Sequence, residues 1–393
     1  IEHKVFLGRK IINGYFPVSI FDIDLRSIVK YNNFEGFRFG AGAVTNSKLS
    51  EKYKVAFYGA YGLKDNEFKY GITPSYLAHK SSETWVSASY TDDISEIAQT
   101  NFVTDSRRFK IYDPRSINIS TFYNNRMSSV FVESKFLPKT TSYFGVSHNQ
   151  IQPLFDYTFV NDEKSYTNYN ITAVQLAFQW NPFSNYMQTP IGKIEYEKRH
   201  PKFSLQLTQT LPGVLENDFA FSKIDFKTFY ELPYLSGQKS SVLLQTGIAF
   251  GDVPITHLYS IVPNNLNREA ILQRVTFAGK NSFETMYFNE FFSNQYASLQ
   301  LKHTFNKIRL GYKINPEFTI VTRMAVGYDN HNNQHLGITY KTMEDGFFES
   351  GVECNKIYKG IGLVAFYRYG PYQLANFDDN IAVKISYHLD LGL

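Results

Sequence analysis

The chain has 393 residues and a formal net charge of +4, from 40 Lys and Arg against 36 Asp and Glu. That balance is small for the size and does not imply a nucleic-acid partner, and the single cysteine, Cys354, excludes an internal disulfide framework. Aromatic residues make up 17% of the chain, with 35 Phe and 29 Tyr against 2 Trp, and no apolar run is long enough for a membrane helix.

Taken in chain order, the apolar residues alternate with polar or small ones. Val55, Phe57, Gly59 and Tyr61 oppose Lys54, Ala56, Tyr58 and Ala60. Val174, Leu176, Phe178 and Trp180 oppose Ala173, Gln175, Ala177 and Gln179, and Phe203, Leu205 and Leu207 oppose Lys202, Ser204 and Gln206. Ile224, Phe226, Tyr230 and Leu232 face away from Lys223, Asp225, Lys227 and Glu231. Phe318, Ile320, Met324, Val326 and Tyr328 oppose Arg323. Ile381, Val383, Ile385, Tyr387 and Leu389 oppose Ala382, Lys384, Ser386 and His388. Period two with one apolar and one wet face describes a strand, and its repetition describes an all-β, transmembrane antiparallel barrel with lipid outside and water inside. The expectation is about 16 strands of roughly ten residues, occupying residues 1–393 as one barrel. Lys54, Lys227, Arg323 and Lys384 should then face the lumen. A soluble sandwich would need aliphatic buried strands, and a propeller would show a blade period, which is absent.

Turn residues punctuate these runs. Asn46–Ser50, Leu63–Asn66, Glu344–Gly346 and Asn355–Gly360 read as compact hairpin connections. Asp92–Asn118, Gln150–Asn170, Asn181–Pro201 and Gly251–Gly279 read as long polar loops. Short periplasmic turns and long extracellular loops are the asymmetry of an outer-membrane barrel. The opening Ile1-Glu-His-Lys4 carries no basic or apolar leader, so any signal peptide or N-terminal periplasmic domain is expected to be absent from this chain.

Several motifs follow one another closely: Phe34-Glu-Gly-Phe-Arg-Phe-Gly40, Val44-Thr-Asn46, Tyr58-Gly-Ala-Tyr-Gly62, Lys64-Asp65 and Phe68-Lys-Tyr-Gly71. Further along come Lys135-Phe-Leu-Pro138, His200-Pro-Lys-Phe-Ser-Leu205, Phe250-Gly-Asp-Val-Pro254, Phe283-Glu-Thr-Met286 and Asn289-Glu-Phe-Phe-Ser293. Over nearly its whole length the chain resembles an uncharacterised Bacteroidota-type outer-membrane barrel family, whose members carry a carboxypeptidase-regulatory-like domain before the barrel. That barrel is similar to those of the BamA/TamA superfamily, which implies 16 strands. The resemblance implies an integral outer-membrane protein that is a noncatalytic component of protein assembly or export machinery. Its expected partners are outer-membrane lipid and lipopolysaccharide, and a BamA-type barrel, surface lipoproteins or secretion components; nucleic acid is not expected. Two departures enter the expectation: Gly251–Asn294 has no Arg-Gly dipeptide at a loop tip, and POTRA repeats are expected to be absent from this chain.

The motif and lumen candidates are Glu35, Gly36, Arg38, Asn46, Lys64, Asp65, Lys69, Glu284, Glu290 and Arg323. Glu35 and Arg38, three apart on one strand, should point to opposite faces and not pair directly. Glu35-Gly36 reads first as a bulge or bend at the barrel rim. Catalytic candidates are Asp92-Asp93, Asp378-Asp379, His331 and His335, but each lies in a turn-like polar stretch where such residues serve the backbone. No enzyme activity is expected. His331 and His335 have a metal-ligand spacing only on a helix, and here they read as a hairpin tip, so neither a metal nor a cofactor is expected. Arg107-Arg108 and Lys198-Arg199 read as solvated loop charges, with lipopolysaccharide phosphate as the other reading. The alternative function is a passive or gated transport channel. An open, charged lumen would mark it, and Gly251–Gly279 folded inside would argue against it. A rim enzyme comes third.

Overall fold

A computed structural model of the chain describes residues 10–11, 13–105, 115, 118–119, 121–161, 164–189, 192–268, 271–279, 281–310, 314–330 and 334–387. Within them the strands are β1 (Tyr15–Val18), β2 (Phe21–Asp24), β3 (Val29–Asn32), β4 (Gly36–Thr45), β5 (Tyr53–Gly62), β6 (Phe68–His79), β7 (Thr84–Glu96), β8 (Phe122–Ser134) and β9 (Thr140–Pro153). There follow β10 (Thr158–Asn161), β11 (Lys164–Tyr166), β12 (Tyr169–Trp180), β13 (Asn185–Thr189), β14 (Gly192–Glu197), β15 (Lys202–Thr210), β16 (Phe221–Pro233) and β17 (Lys239–Gly251). The last are β18 (Pro263–Asn265), β19 (Phe283–Tyr287), β20 (Gln295–Thr304), β21 (Glu317–Tyr328), β22 (His335–Leu336), β23 (Met343–Tyr358), β24 (Ile361–Tyr369) and β25 (Ile381–Tyr387).

One antiparallel meander curls into the barrel: β4 through β9 in order, then β12, β15, β16, β17, β20, β21, β23, β24 and β25. β2 and β3 pair with the two ends of β4, so they form one stave broken by the 3-10 turn Leu25–Ser27. Counted this way, the described residues give sixteen staves, the number expected. β1 is a short extra strand, folded back on β2.

The alternation read from the sequence has a physical outcome. Ala382, Lys384 and Ser386 are buried, while Ile381, Val383 and Ile385 are half-exposed on the outside. In β21, Thr319, Val321, Arg323 and Ala325 point in, while Ile320 and Val326 are exposed. Outward rings pair across neighbouring staves at both ends: Tyr53 with Tyr76 and Trp180 with Phe203 at the short-turn end, Tyr61 with Phe68 and Phe348 with Tyr369 at the other. These are cross-strand contacts on an apolar outer surface.

Connections differ between the two ends, with departures from the sequence reading. Asn46–Ser50 and Leu63–Asn66 do join adjacent staves. Glu344–Gly346 lies within β23, where Gly346 at φ +86° accompanies a register shift against β21. The tight turn after β23 is only Lys359-Gly360, because Asn355–Tyr358 continue the strand. Asn181–Pro201 is long, yet it falls at the short-turn end and carries the β13–β14 hairpin. The loop after β17 runs past Gly279 to residue 294.

The apolar core lies inside the barrel mouth and not between two layers. Phe159, Phe219, Tyr259, Phe291, Phe292 and Phe347 pack there with residues from several loops. β10, β11 and β22 add a small three-stranded sheet to this cap.

Candidate functional site

The long connection between β17 and β20 turns into the barrel. Val253, Ile255, Leu258 and Tyr259 are buried, and Tyr259 donates to Asp225 of β16 at 2.7 Å. Lys223 of β16 donates to the His257 carbonyl at 2.7 Å. Burial, with Lys223 alongside, pushes His257 down to about 3, so its ring is neutral. The loop then forms a parallel pair of short strands, β18 and β19, with the helical turn Ile271–Arg274 between them.

Three consecutive staves, β23, β24 and β25, clamp this plug, and Arg323 of β21 backs the clamp through Glu349. Glu349 of β23 accepts from the backbone N–H groups of Glu284 (3.0 Å) and Thr285 (2.9 Å), from Thr285 Oγ1 (2.7 Å) and from Arg323 Nη1 of β21 (2.6 Å). Arg368 of β24 forms a two-pronged pair with Glu290 at 3.0 and 2.7 Å and lies over the Phe347 ring. Lys384 of β25 bonds the Asn264 carbonyl and lies 3.5 Å from Glu284. Glu284 accepts from Asn264 (2.7 Å), Ser282 (2.8 Å) and the Gly279 N–H (3.0 Å). Arg274 reaches Tyr287 at 2.8 Å and Asp379 at 3.1 Å. Arg323, Arg368, Lys384, Glu284 and Glu349 are essentially sealed from solvent. Burying a charge is costly unless it is paired and hydrogen-bonded, so the contacts that Glu349, Arg368 and Lys384 make to the loop fix its position.

A second cluster sits at the rim between the first staves. Asn32 Oδ1 accepts from the N–H groups of Phe34 and Glu35, and Asn32 Nδ2 donates to Glu35 Oε2 at 2.6 Å. Arg38 grips Asp93 at 2.6 and 2.8 Å, and Tyr58 donates to the same carboxylate at 2.7 Å. Lys69 lies 3.1 Å from Glu35 and also pairs with Asp65. Contrary to the sequence expectation, Arg38 also reaches Glu35, at 3.5 Å. The reason is local: Glu35 precedes β4 in a turn, and Gly36 at φ +68° bends the chain so that both side chains enter the lumen. Lys64 straps this turn by donating to the Asn33 carbonyl at 2.6 Å.

The ten sequence candidates thus divide among three places. Glu35, Gly36, Arg38, Lys64, Asp65 and Lys69 meet at the rim. Glu284, Glu290 and Arg323 belong to the plug and its clamp. Asn46 stands apart, tying the β1–β2 turn to the β4–β5 turn through Ser19 (3.1 Å) and Asp22 (3.2 Å). Sequence reasoning missed Glu349, Arg368, Asn264 and Arg274. For two of them a signal existed: Arg323, Glu349 and Arg368 stand opposite one another on adjacent strands, next to Met324, Phe348 and the pair Tyr367 and Tyr369 respectively.

The catalytic candidates are not brought together. Asp92 pairs with Arg126, Asp93 with Arg38 and Asp379 with Arg274. His335 is stacked in the aromatic cap and hydrogen-bonded to Tyr157 at 2.8 Å. His331, Arg107 and Arg108 lie outside the described residues. Arg199 is exposed and pairs with Glu197.

No curated protein matches the chain. Among solved structures, it is similar to the crystal structure of BamA from Haemophilus ducreyi lacking POTRA domains 1–3, with a TM-score of 0.55 and 11% identity. That alignment covers 94% of this chain and 69% of the other. At this identity the likeness establishes a BamA-like β-barrel fold. Residues 4–314 match the family described as "Family of unknown function (DUF5686) C-terminal domain", so the chain belongs to that family.

Proposed function

We propose that this chain is an integral outer-membrane β-barrel, closed by its own loop, that serves as a noncatalytic component of protein assembly or export. The observation that carries the reading is the plug. The β17–β20 loop lies inside the barrel, held by ion pairs from β24 and β25 and by hydrogen bonds to Glu349 of β23. A passive channel needs a wet, unobstructed lumen, and a buried plug of this kind opposes it. The apolar outer face and its paired rings support a lipid environment. The BamA-like fold supports an association with assembly or secretion components, and outer-membrane lipid and lipopolysaccharide would surround the barrel. A carboxypeptidase-regulatory-like domain on the periplasmic side, in a Bacteroidota-type cell, fits the same reading.

The test is a mild-detergent pull-down of the tagged protein from its own outer membrane, with mass spectrometry of what remains bound. Stoichiometric recovery of a BamA-type barrel, surface lipoproteins or secretion components supports the reading. Recovery of the barrel alone, together with steady conductance, overturns it in favour of a channel.

A further inference from the structure

Among the described residues, the first and last staves do not pair with each other. The register of β25 is with β24, and those of β2 and β3 are with β4; no register joins β25 to β2 or β3 among the described residues. Each seam edge is instead covered in part by a short piece of the same chain. On the first stave, β1 covers β2 from Tyr15 opposite Asp24 to Val18 opposite Phe21.

On the last stave, the cover comes from the plug. The Ile385 N–H donates to the Thr276 carbonyl at 2.8 Å, and the Ala278 N–H donates to the Ile385 carbonyl at 2.8 Å. This is a parallel bridge centred on Phe277. The segment is held there from within. Asn264 Nδ2 donates to the Phe277 carbonyl at 3.0 Å, the Gly279 N–H donates to Glu284 at 3.0 Å, and Ala278 packs beside Val321, Val364 and Phe366. Backbone groups on a bare strand edge are costly away from water and invite a partner strand. Thr276 and Ala278 satisfy the two groups of Ile385 that a neighbouring stave would otherwise take.

We propose that Thr276–Ala278 is an internal latch. It is a surrogate strand that occupies the edge of β25 in place of the first stave, so that the latched state and a zipped seam exclude each other. Seating of the plug and opening of the seam are then one equilibrium. Releasing the plug frees Ile385 for β2 and β3, and zipping the seam expels Thr276–Ala278 from the edge.

The test is disulfide trapping in the full chain reconstituted in lipid bilayers, in a Cys354→Ser background. A latch pair carries Phe277→Cys with Ile385→Cys. A panel of seam pairs combines Val29→Cys or Tyr31→Cys with Ile381→Cys, Val383→Cys or Ile385→Cys. The latch pair should oxidise readily and the seam pairs poorly. Ala278→Pro removes the donor of one of the two latch hydrogen bonds, and losing one net hydrogen bond should raise seam trapping roughly fivefold. The proposal is overturned if the latch pair fails to form, if seam pairs close readily without the proline, or if the proline leaves them unchanged. Should Ala278→Pro prevent folding, hydrogen exchange on the unaltered protein decides. An Ile385 amide as protected as those of β24 supports the latch, and a fast-exchanging one refutes it.

Discussion

Glu349 shows what a single residue does here. Its carboxylate answers Arg323 on the wall and two backbone N–H groups of the plug, with no solvent to replace any of them. Glu349→Ala would leave the Arg323 guanidinium buried without that partner, a change that costs on the order of 3–5 kcal/mol. The barrel strands are expected to survive it, while the peptide spanning Phe283–Tyr287 should exchange its amides much faster, as hydrogen-exchange mass spectrometry would read. Unchanged exchange there would mean the clamp does not hold the plug. At the rim, Gly36 has φ +68°, and an added Cβ would lie 3.2 Å from the Lys64 Cβ. Gly36→Val should destabilise the rim by about 1–3 kcal/mol, seen as a lower midpoint in denaturant unfolding. Gly36→Asn, which tolerates that region better, should cost less.

At the scale of elements, the plug loop has its own pH dependence. The His257 ring is held neutral down to about 3, against an ordinary value of 6.5. The unfolded loop therefore binds a proton that the seated loop refuses, and its stability falls as pH drops from 6.5 toward 3. Hydrogen exchange around residues 252–258 should accelerate across that window in the parent protein, and the acceleration should shrink in His257→Gln. How legible these elements were in the sequence follows from what makes each one. The staves were readable because their period of two survives any tertiary context, as β21 and β25 show. The plug was not readable beyond its position, because its fold depends on partners far away in sequence. Glu284 meets Glu349 and Lys384, and nothing local announces either contact. Glu344–Gly346 misled for a related reason. Asp-Gly in sequence marks a turn, but pairing with β21 carries the strand through it, with the misfit absorbed as a register shift. Glu35 and Arg38 were assigned opposite faces on the premise that both lie in a strand, and the turn at Gly36 removes that premise.

At the scale of the whole molecule, the barrel is inverted relative to a soluble domain. Charge is concentrated in the buried lumen, and apolar side chains cover the outside. A charge placed on that outer face near the middle of a stave should therefore be destabilising. Ile320→Arg on β21, where the native side chain is half-exposed, is expected to cost about 2–4 kcal/mol in lipid vesicles. Leu235→Arg, at a short turn and fully exposed, should cost little. Equal small effects at both positions would argue that no bilayer surrounds the staves.

Whether the chain closes its own lumen is tested most directly by single-channel recording in a planar bilayer. The full chain is compared with a variant in which residues 266–282 are replaced by a short Gly-Ser linker, insertion of both being established by heat-modified gel mobility. A lumen closed by the plug gives a silent full chain and a conducting variant. Steady conductance through the full chain, equal to that of the shortened one, would contradict it.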